Sequence, residues 1–413
     1  MFDALARRTK FPAVILLMVT GMIIRAIAAA YSSDLVGILD NLIPILGTIG
    51  LILIVLEGAL ELEITKEKLP LLIKGFVAAA VLLVTNIAGL TFVFQKILDL
   101  QFNSAIIYSI PLSIISSAVA IPSAGGLLPN HKEFVVYEST FSDILGIMIF
   151  NYALRQFESD QSLLEGHSLI SLAFQIIGVI LISLVITYVL FRLLQNIAYH
   201  VKFFLILALL VLVYAFGKLL HLPALVTIFI FGLFMSNVKS LLPPFLIKYL
   251  NLEESEKGLH EFHILTAEST FLVRTFFFLF FGFSVSLSQF NSLEPFLYGA
   301  LIFFIMLFLR HLYFMIGSFK LNTAPLVYMA PRGLISILLF IQIDKISFPF
   351  MRSEWIDERT LLVVILLSMV VLILGNNTAK KAEPLKLDQD ELLSPTVEFP
   401  LKDSRESNET INE

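Results

Sequence analysis

The sequence predicts an all-α polytopic membrane protein of about 12 transmembrane helices, and three observations predict it. The 413-residue chain is 58% hydrophobic and 15% charged, against about 45–50% apolar residues in soluble domains. Apolar runs of about 17–25 residues, the length a helix needs to cross the hydrocarbon core, recur along most of it. These runs lack the alternation of a membrane barrel, which leaves helices as the structures that satisfy their own backbone in lipid.

Twelve spans follow in order: 11–30, 42–60, 71–94, 105–128, 134–154, 169–194, 201–216, 223–235, 264–287, 295–317, 324–343 and 361–374. Arg7, Arg8 and Lys10 precede the first run as in a signal peptide. Arg25 inside that run and the Ser-Ser-Asp after it fit a retained span better. With the N-terminus inside, thirteen Lys and Arg fall on the inner segments and six on the outer loops. By the positive-inside rule both termini are then cytoplasmic, in a multi-pass protein of a prokaryotic plasma (inner) membrane. Residues 1–377 form the membrane domain and 378–413 a polar, disordered cytoplasmic tail. The tail holds nine acids and five bases, a charge of −4 out of the chain's −5, so net charge indicates no nucleic-acid partner. The chain has no cysteine, which excludes disulfides, thiol nucleophiles and Cys-ligated metals.

The fourth and eleventh spans are interrupted. SIPLSIISSAVAIPSAGGLLPN places Pro111, Pro122, Gly125 and Gly126 around Ser116 and Ser117, and APLVYMAPRGLISILLF places Pro325, Pro331 and Gly333 around Arg332. Seven spans apart, they run in opposite directions. Interrupted segments at matching places of two inverted repeats point to a transporter's binding site, with the broken helices crossing at the midplane. The bland alternative is that Pro and Gly merely kink membrane helices.

Asp143, Arg274 and Arg332 lie near the middles of their spans, where each ionisable group costs about 2.5–3.5 kcal/mol on insertion scales. Glu57 and Glu138 lie nearer span ends, where snorkelling or surface exposure is the bland reading. On the fifth span Ser139 and Asp143 share a face, with Gly146 further along, and Glu138 pairs in spacing with Ser142. A carboxylate beside a hydroxyl offers a small cation two hard oxygens, although a helical serine can equally bond its own helix. Charge is costly in an apolar site, so a proton and a cation can compete for one carboxylate and the empty anion crosses poorly. Arg332 would compensate the helix ends that face each other at the broken pair.

Two other classes are weighed. A metal-dependent hydrolase would need two residues between the Glu and second His of HEFH at His260–His263, a sequence that reads as a charged loop. No nucleophile elbow or P-loop is present, so the chain is not read as an enzyme and needs no cofactor. A cation channel would share broken helices but needs a continuous path with several weak sites. The tetrapeptide ESTF occurs at Glu138 and Glu268 on parallel spans, which an inverted duplication would not align, and is assigned to chance.

Four stretches in order, IVLEGALELE, SSAVAIPSAGGLLP, YESTFSDILGIMIF, and VRTFFFLFFGFS with APRGLISILL, resemble the cation:proton antiporter superfamily that includes sodium/proton exchangers. The resemblance implies that Asp143 binds ion and proton, with Ser139 beside it and Glu57 lining the site. It implies that Ser116 and Ser117 line the broken helix, that Glu138 pairs with a buried arginine, here Arg274, and that the protein is a homodimer whose core slides against a dimerisation domain. Ser142 stands where the family has Asn or Asp, and Ser116–Ser117–Ala118 replaces Thr-Asp-Pro. With one mid-membrane carboxylate the resemblance implies electroneutral exchange of one proton for one Na+, Li+ or K+, with a potassium/proton antiporter as the alternative.

Overall fold

The computed structural model describes residues 13–31, 34–158, 178, 181–188, 199–219, 224–238, 252–285, 292–317, 323–344 and 355–381. The described chain is helical, with no strand. Its helices are α1 (Ala13–Tyr31), α2 (Asp34–Leu60), α3 (Leu69–Ile97), α4 (Phe102–Ser113), α5 (Ser117–Ser123), α6 (Pro129–Glu158), α7 (Tyr199–Leu219), α8 (Ala224–Ser236), α9 (Leu252–Ser284), α10 (Glu294–Ile316), α11 (Ala324–Tyr328), α12 (Leu334–Asp344) and α13 (Glu358–Lys381). Most of the predicted sixth span and the tail beyond Lys381 lie outside the described residues.

Lipid as solvent explains why apolar residues point both ways. Val19, Ile23 and Ile27 on α1, Val81 and Val84 on α3, and Phe304 and Phe308 on α10 are exposed, while Met18, Leu82 and Met306 on the same helices are buried. In water such faces would be docking patches, whereas in a bilayer they need no cover. Four described helical segments, Leu69–Ile97, Phe102–Gly126, Glu261–Ser284 and Glu294–Ile316, are long and apolar enough to cross a membrane on their own.

The helices group by contact. One group joins α9 to α1 and α2, and α8 to α2 and α7. The other joins α6 to α3, α4 and α5, α10 to α3 and α13, α11 to α13, and α12 to α4. Within the first group α1 and α9 approach backbone to backbone. A Cβ at Gly21 would fall 2.1 Å from the Leu279 carbonyl oxygen, and one at Gly282 2.2 Å from that of Met18, so only glycine permits this crossing. Arg25 completes it by donating to the carbonyls of Phe283 and Ser284 at 2.8 and 2.6 Å.

The two interrupted spans are confirmed as interruptions. Residues 114–116 separate α4 from α5, and residues 329–333 separate α11 from α12. Extended φ/ψ at Ile114 (−75°, 132°) and Ser116 (−81°, 112°) breaks the first helix. The interruptions touch: the Ser116 N–H donates to the Pro331 carbonyl at 2.9 Å, and a Cβ at Gly333 would lie 2.7 Å from Ser116 Oγ. Proline has no N–H of its own, and its carbonyl here takes up one that the break leaves unpaired.

One local reading is corrected. His260–His263 lies within α9, whose start at Leu252 is well ahead of the predicted boundary, with Phe262 buried. The charged residues before Ile264 extend the helix instead of forming a loop.

Candidate functional site

α6 carries the polar stripe against the first interruption. Ser142 Oγ accepts the Ile115 N–H at 3.0 Å, and Asp143 Oδ2 accepts the Ser117 N–H at 3.1 Å. Adjacent residues of one helix thus satisfy two N–H groups that a continuous helix would have bonded internally. Gly146, one turn on, lets the break come close: a Cβ there would stand 2.3 Å from Ile114 Cγ1.

Asp143 is 2% exposed, and among the described residues its second oxygen, Oδ1, has no hydrogen-bond partner. The Ser116 hydroxyl is also buried and without a partner among them. Ser139 Oγ donates to the Val135 carbonyl at 2.7 Å, the ordinary helical back-bond. That bond commits the hydroxyl proton and leaves the oxygen's lone pairs as acceptors. Ser117 reaches Asp143 with its side chain as well as its N–H. A buried carboxylate with one oxygen anchored and one open suits a group that holds a proton or a small cation.

The expected ion pair between Glu138 and Arg274 is not formed. Glu138 is 1% exposed and makes a bidentate pair with Arg310 of α10, at 2.6 and 2.8 Å. Arg310 also donates to the carbonyls of Leu326 and Val327 at the end of α11, from 2.7 to 3.1 Å. The surface reading of Glu138 therefore fails, and the guanidinium that meets the carbonyl end of α11 belongs to Arg310, not Arg332. Arg274 pairs instead with Glu57 at 2.8 Å, joining α9 to α2 inside the first group. That contact engages one Glu57 oxygen outside the α6 stripe. Arg310 was findable: it is an arginine inside the apolar run LFLRHLYF of the helix that precedes the second interruption, the same intramembrane signal that singled out Arg274.

Arg332 is buried, with its N–H on Ser368 Oγ at 3.0 Å and Nη2 on Met306 Sδ at 3.3 Å. Its Nε and Nη1 have no hydrogen-bond partner among the described residues. A vestibule of about 750 Å³ is lined by Glu61, Lys132, Val136 and Tyr137 among others. At its rim Lys68 bridges Glu63 and Glu133 at 2.7 and 3.0 Å. Those two hydrogen bonds, first to Glu63 and then to Glu133, hold the Lys68 ammonium protonated above the usual lysine range. Asn237, just past α8, pins the α2–α3 connector by accepting the Ile64 N–H at 2.6 Å and donating to the Leu62 carbonyl at 2.7 Å.

Comparison with known proteins bears on the fold and the family. No curated protein matches the sequence. Among solved structures the fold is similar to that of the sodium proton antiporter MjNhaP1 from Methanocaldococcus jannaschii, determined at pH 8, with TM-score 0.68, 22% identity and 92% of each chain covered. An electron-microscopy structure of the same protein gives TM-score 0.66 and 21% identity over 92% of each chain. The family model described as sodium/hydrogen exchanger, transmembrane, matches residues 1–378, nearly the whole chain, and the chain belongs to that family.

Proposed function

We propose that the protein exchanges a monovalent cation, Na+ first among Na+, Li+ and K+, for a proton by alternating access, with Asp143 as the shared site. The observation that carries the proposal is the half-satisfied Asp143 carboxylate, buried against the first interruption with Oδ1 open. A proton on that oxygen neutralises the site. A cation does the same, with Ser116 and Ser139 as further oxygens. The bare anion is the state that a low-dielectric interior resists, and this couples the two ions. Ser142 and Ser117 position the first break, Glu138 with Arg310 ties α6 to α10 and α11, and Arg332 lies buried in the second interruption. Glu57 assists from α2, where Arg274 orients it.

One mobile charge per cycle gives electroneutral, one-for-one exchange. The family's usual assembly makes a homodimer the expected form, in the plasma membrane with both termini cytoplasmic. The alternative within the class is potassium/proton exchange, since serines replace the family's Thr-Asp at the interruption. The alternative outside it is a cation channel.

Proteoliposomes with a pH-sensitive dye test the reading. Adding Na+, Li+ or K+ should move protons in the native protein and not in Asp143→Asn, with saturation. A large unsaturating cation conductance would favour the channel, and no cation response from folded native protein would overturn the proposal.

A further inference from the structure

One more polar side chain on α6 has no assigned task. Thr140 is 2% exposed and its Oγ1 has no hydrogen-bond partner among the described residues. A helical threonine can donate to a carbonyl one turn back, and Thr20, Thr85, Thr266, Thr270 and Thr275 all do so. Thr140 leaves that option unused, although a buried hydroxyl without a partner carries a desolvation penalty.

Its position explains what such a hydroxyl could serve. Thr140 faces α2, where an added Cβ at Gly58 would come 3.2 Å from Thr140 Oγ1, so it stands where the two helix groups touch. It is three residues before Asp143 and four after Val136, a spacing that puts all three on one stripe of α6, with neighbouring Cβ atoms about 5–6 Å apart. Val136 lines the vestibule, and Asp143 is the buried carboxylate. Thr140 is thus the oxygen between them. Ser139 and Ser142 lie on the other side of Asp143, and Ser142 is committed to the Ile115 N–H.

We propose that Thr140 Oγ1 is a cation ligand between the vestibule and Asp143, replacing a water as the ion dehydrates and contributing to the choice among monovalent cations. The inference rests on Asp143 being the exchange site. A hydroxyl suits the task because it supplies lone pairs without adding a second charge. Its small neighbour Gly58 leaves room for the ion only when the two helix groups part, so the ligand lies at the closing contact.

Full-length native protein, Thr140→Val, Thr140→Ser and Asp143→Asn in proteoliposomes provide the test, each with Na+, Li+ and K+ series at one pH. Val keeps the shape and removes the oxygen, whereas Ser keeps the oxygen. The expected result is a rise of roughly three- to tenfold in the apparent KM for the preferred cation in Thr140→Val. Its maximal rate should stay close to native, its melting temperature should not fall, and Ser should restore the native KM. A native KM for every ion in Thr140→Val, or Ser as defective as Val, would overturn the inference. If Val does not fold, Thr140→Ala replaces it, read by the same KM. Native protein without Asp143-dependent proton movement overturns the antiport reading and this inference with it. Intact native exchange with an unaffected Val overturns the role of Thr140 alone.

Discussion

Glu138 and Asp143 sit five residues apart on α6, both essentially out of solvent, and the protein treats them in opposite ways. Glu138 has both oxygens on one guanidinium, at 2.6 and 2.8 Å. Asp143 has one oxygen held by Ser117 and the other without a hydrogen-bond partner among the described residues. A carboxylate with both oxygens on one guanidinium is fixed in place. One that is half engaged keeps an open oxygen, and the proposed exchange rests on it. The same contrast separates Arg310, whose donors are spread over Glu138 and the α11 carbonyls, from Arg332, which keeps two nitrogens unpartnered among the described residues. Equally buried ionisable groups thus differ in how fully they are paired, which the hydrogen-bond inventory shows and burial does not.

The comparison can be broken most severely at Asp143 itself. Asp143→Asn should reduce cation-driven proton movement to the liposome background while the protein still extracts and melts as native. An inactive but unfolded variant would place Asp143 with Glu138. The reverse pattern belongs to Arg310→Ala, which strands Glu138 in the core and should cost about 3–5 kcal/mol, read as loss of folded yield and a lowered melting temperature. Combining Glu138→Leu with Arg310→Met should recover only part of that loss, because the α11 carbonyls lose their donors too.

Smaller effects sharpen the contrast around the break. Gly146→Ala drives a methyl into Ile114 and should cost about 1–3 kcal/mol, with activity falling further than stability because the displaced segment carries the Ser117 N–H. Arg274→Ala breaks a pair that is 13% and 18% exposed, so about 1–2 kcal/mol is expected, between the surface and buried limits. Thermal unfolding in detergent measures both. Lys68→Ala removes a rim bridge whose side chains are 31% to 62% exposed and should shift stability by only ~0–1 kcal/mol.

Much of this was legible in the sequence. The apolar runs gave the helices because lipid forces every backbone group to pair within its own segment. Pro and Gly around Ser116 and Arg332 marked both interruptions, since those residues fix where a helix stops continuing. Asp143 stood out because a mid-span acid is expensive. The partner of Glu138 was not legible, because a pairing depends on which helices touch, and two arginines, Arg274 and Arg310, offered equal local signals. Nor was it legible that Ser142, paired in spacing with Glu138, accepts the Ile115 N–H of a segment 27 residues away. Thr140 was invisible, since a threonine in a helix ordinarily satisfies itself.

If proton and cation compete for the one carboxylate of Asp143, as proposed, the competition is read in the pH dependence of the apparent KM. In proteoliposomes with matched internal and external pH, lowering pH should raise the KM for the preferred cation, approaching tenfold per unit where the site is protonated, with the rate at saturating cation unchanged by the competition. A KM independent of pH, with activity varying only in maximal rate, would contradict a shared site on Asp143.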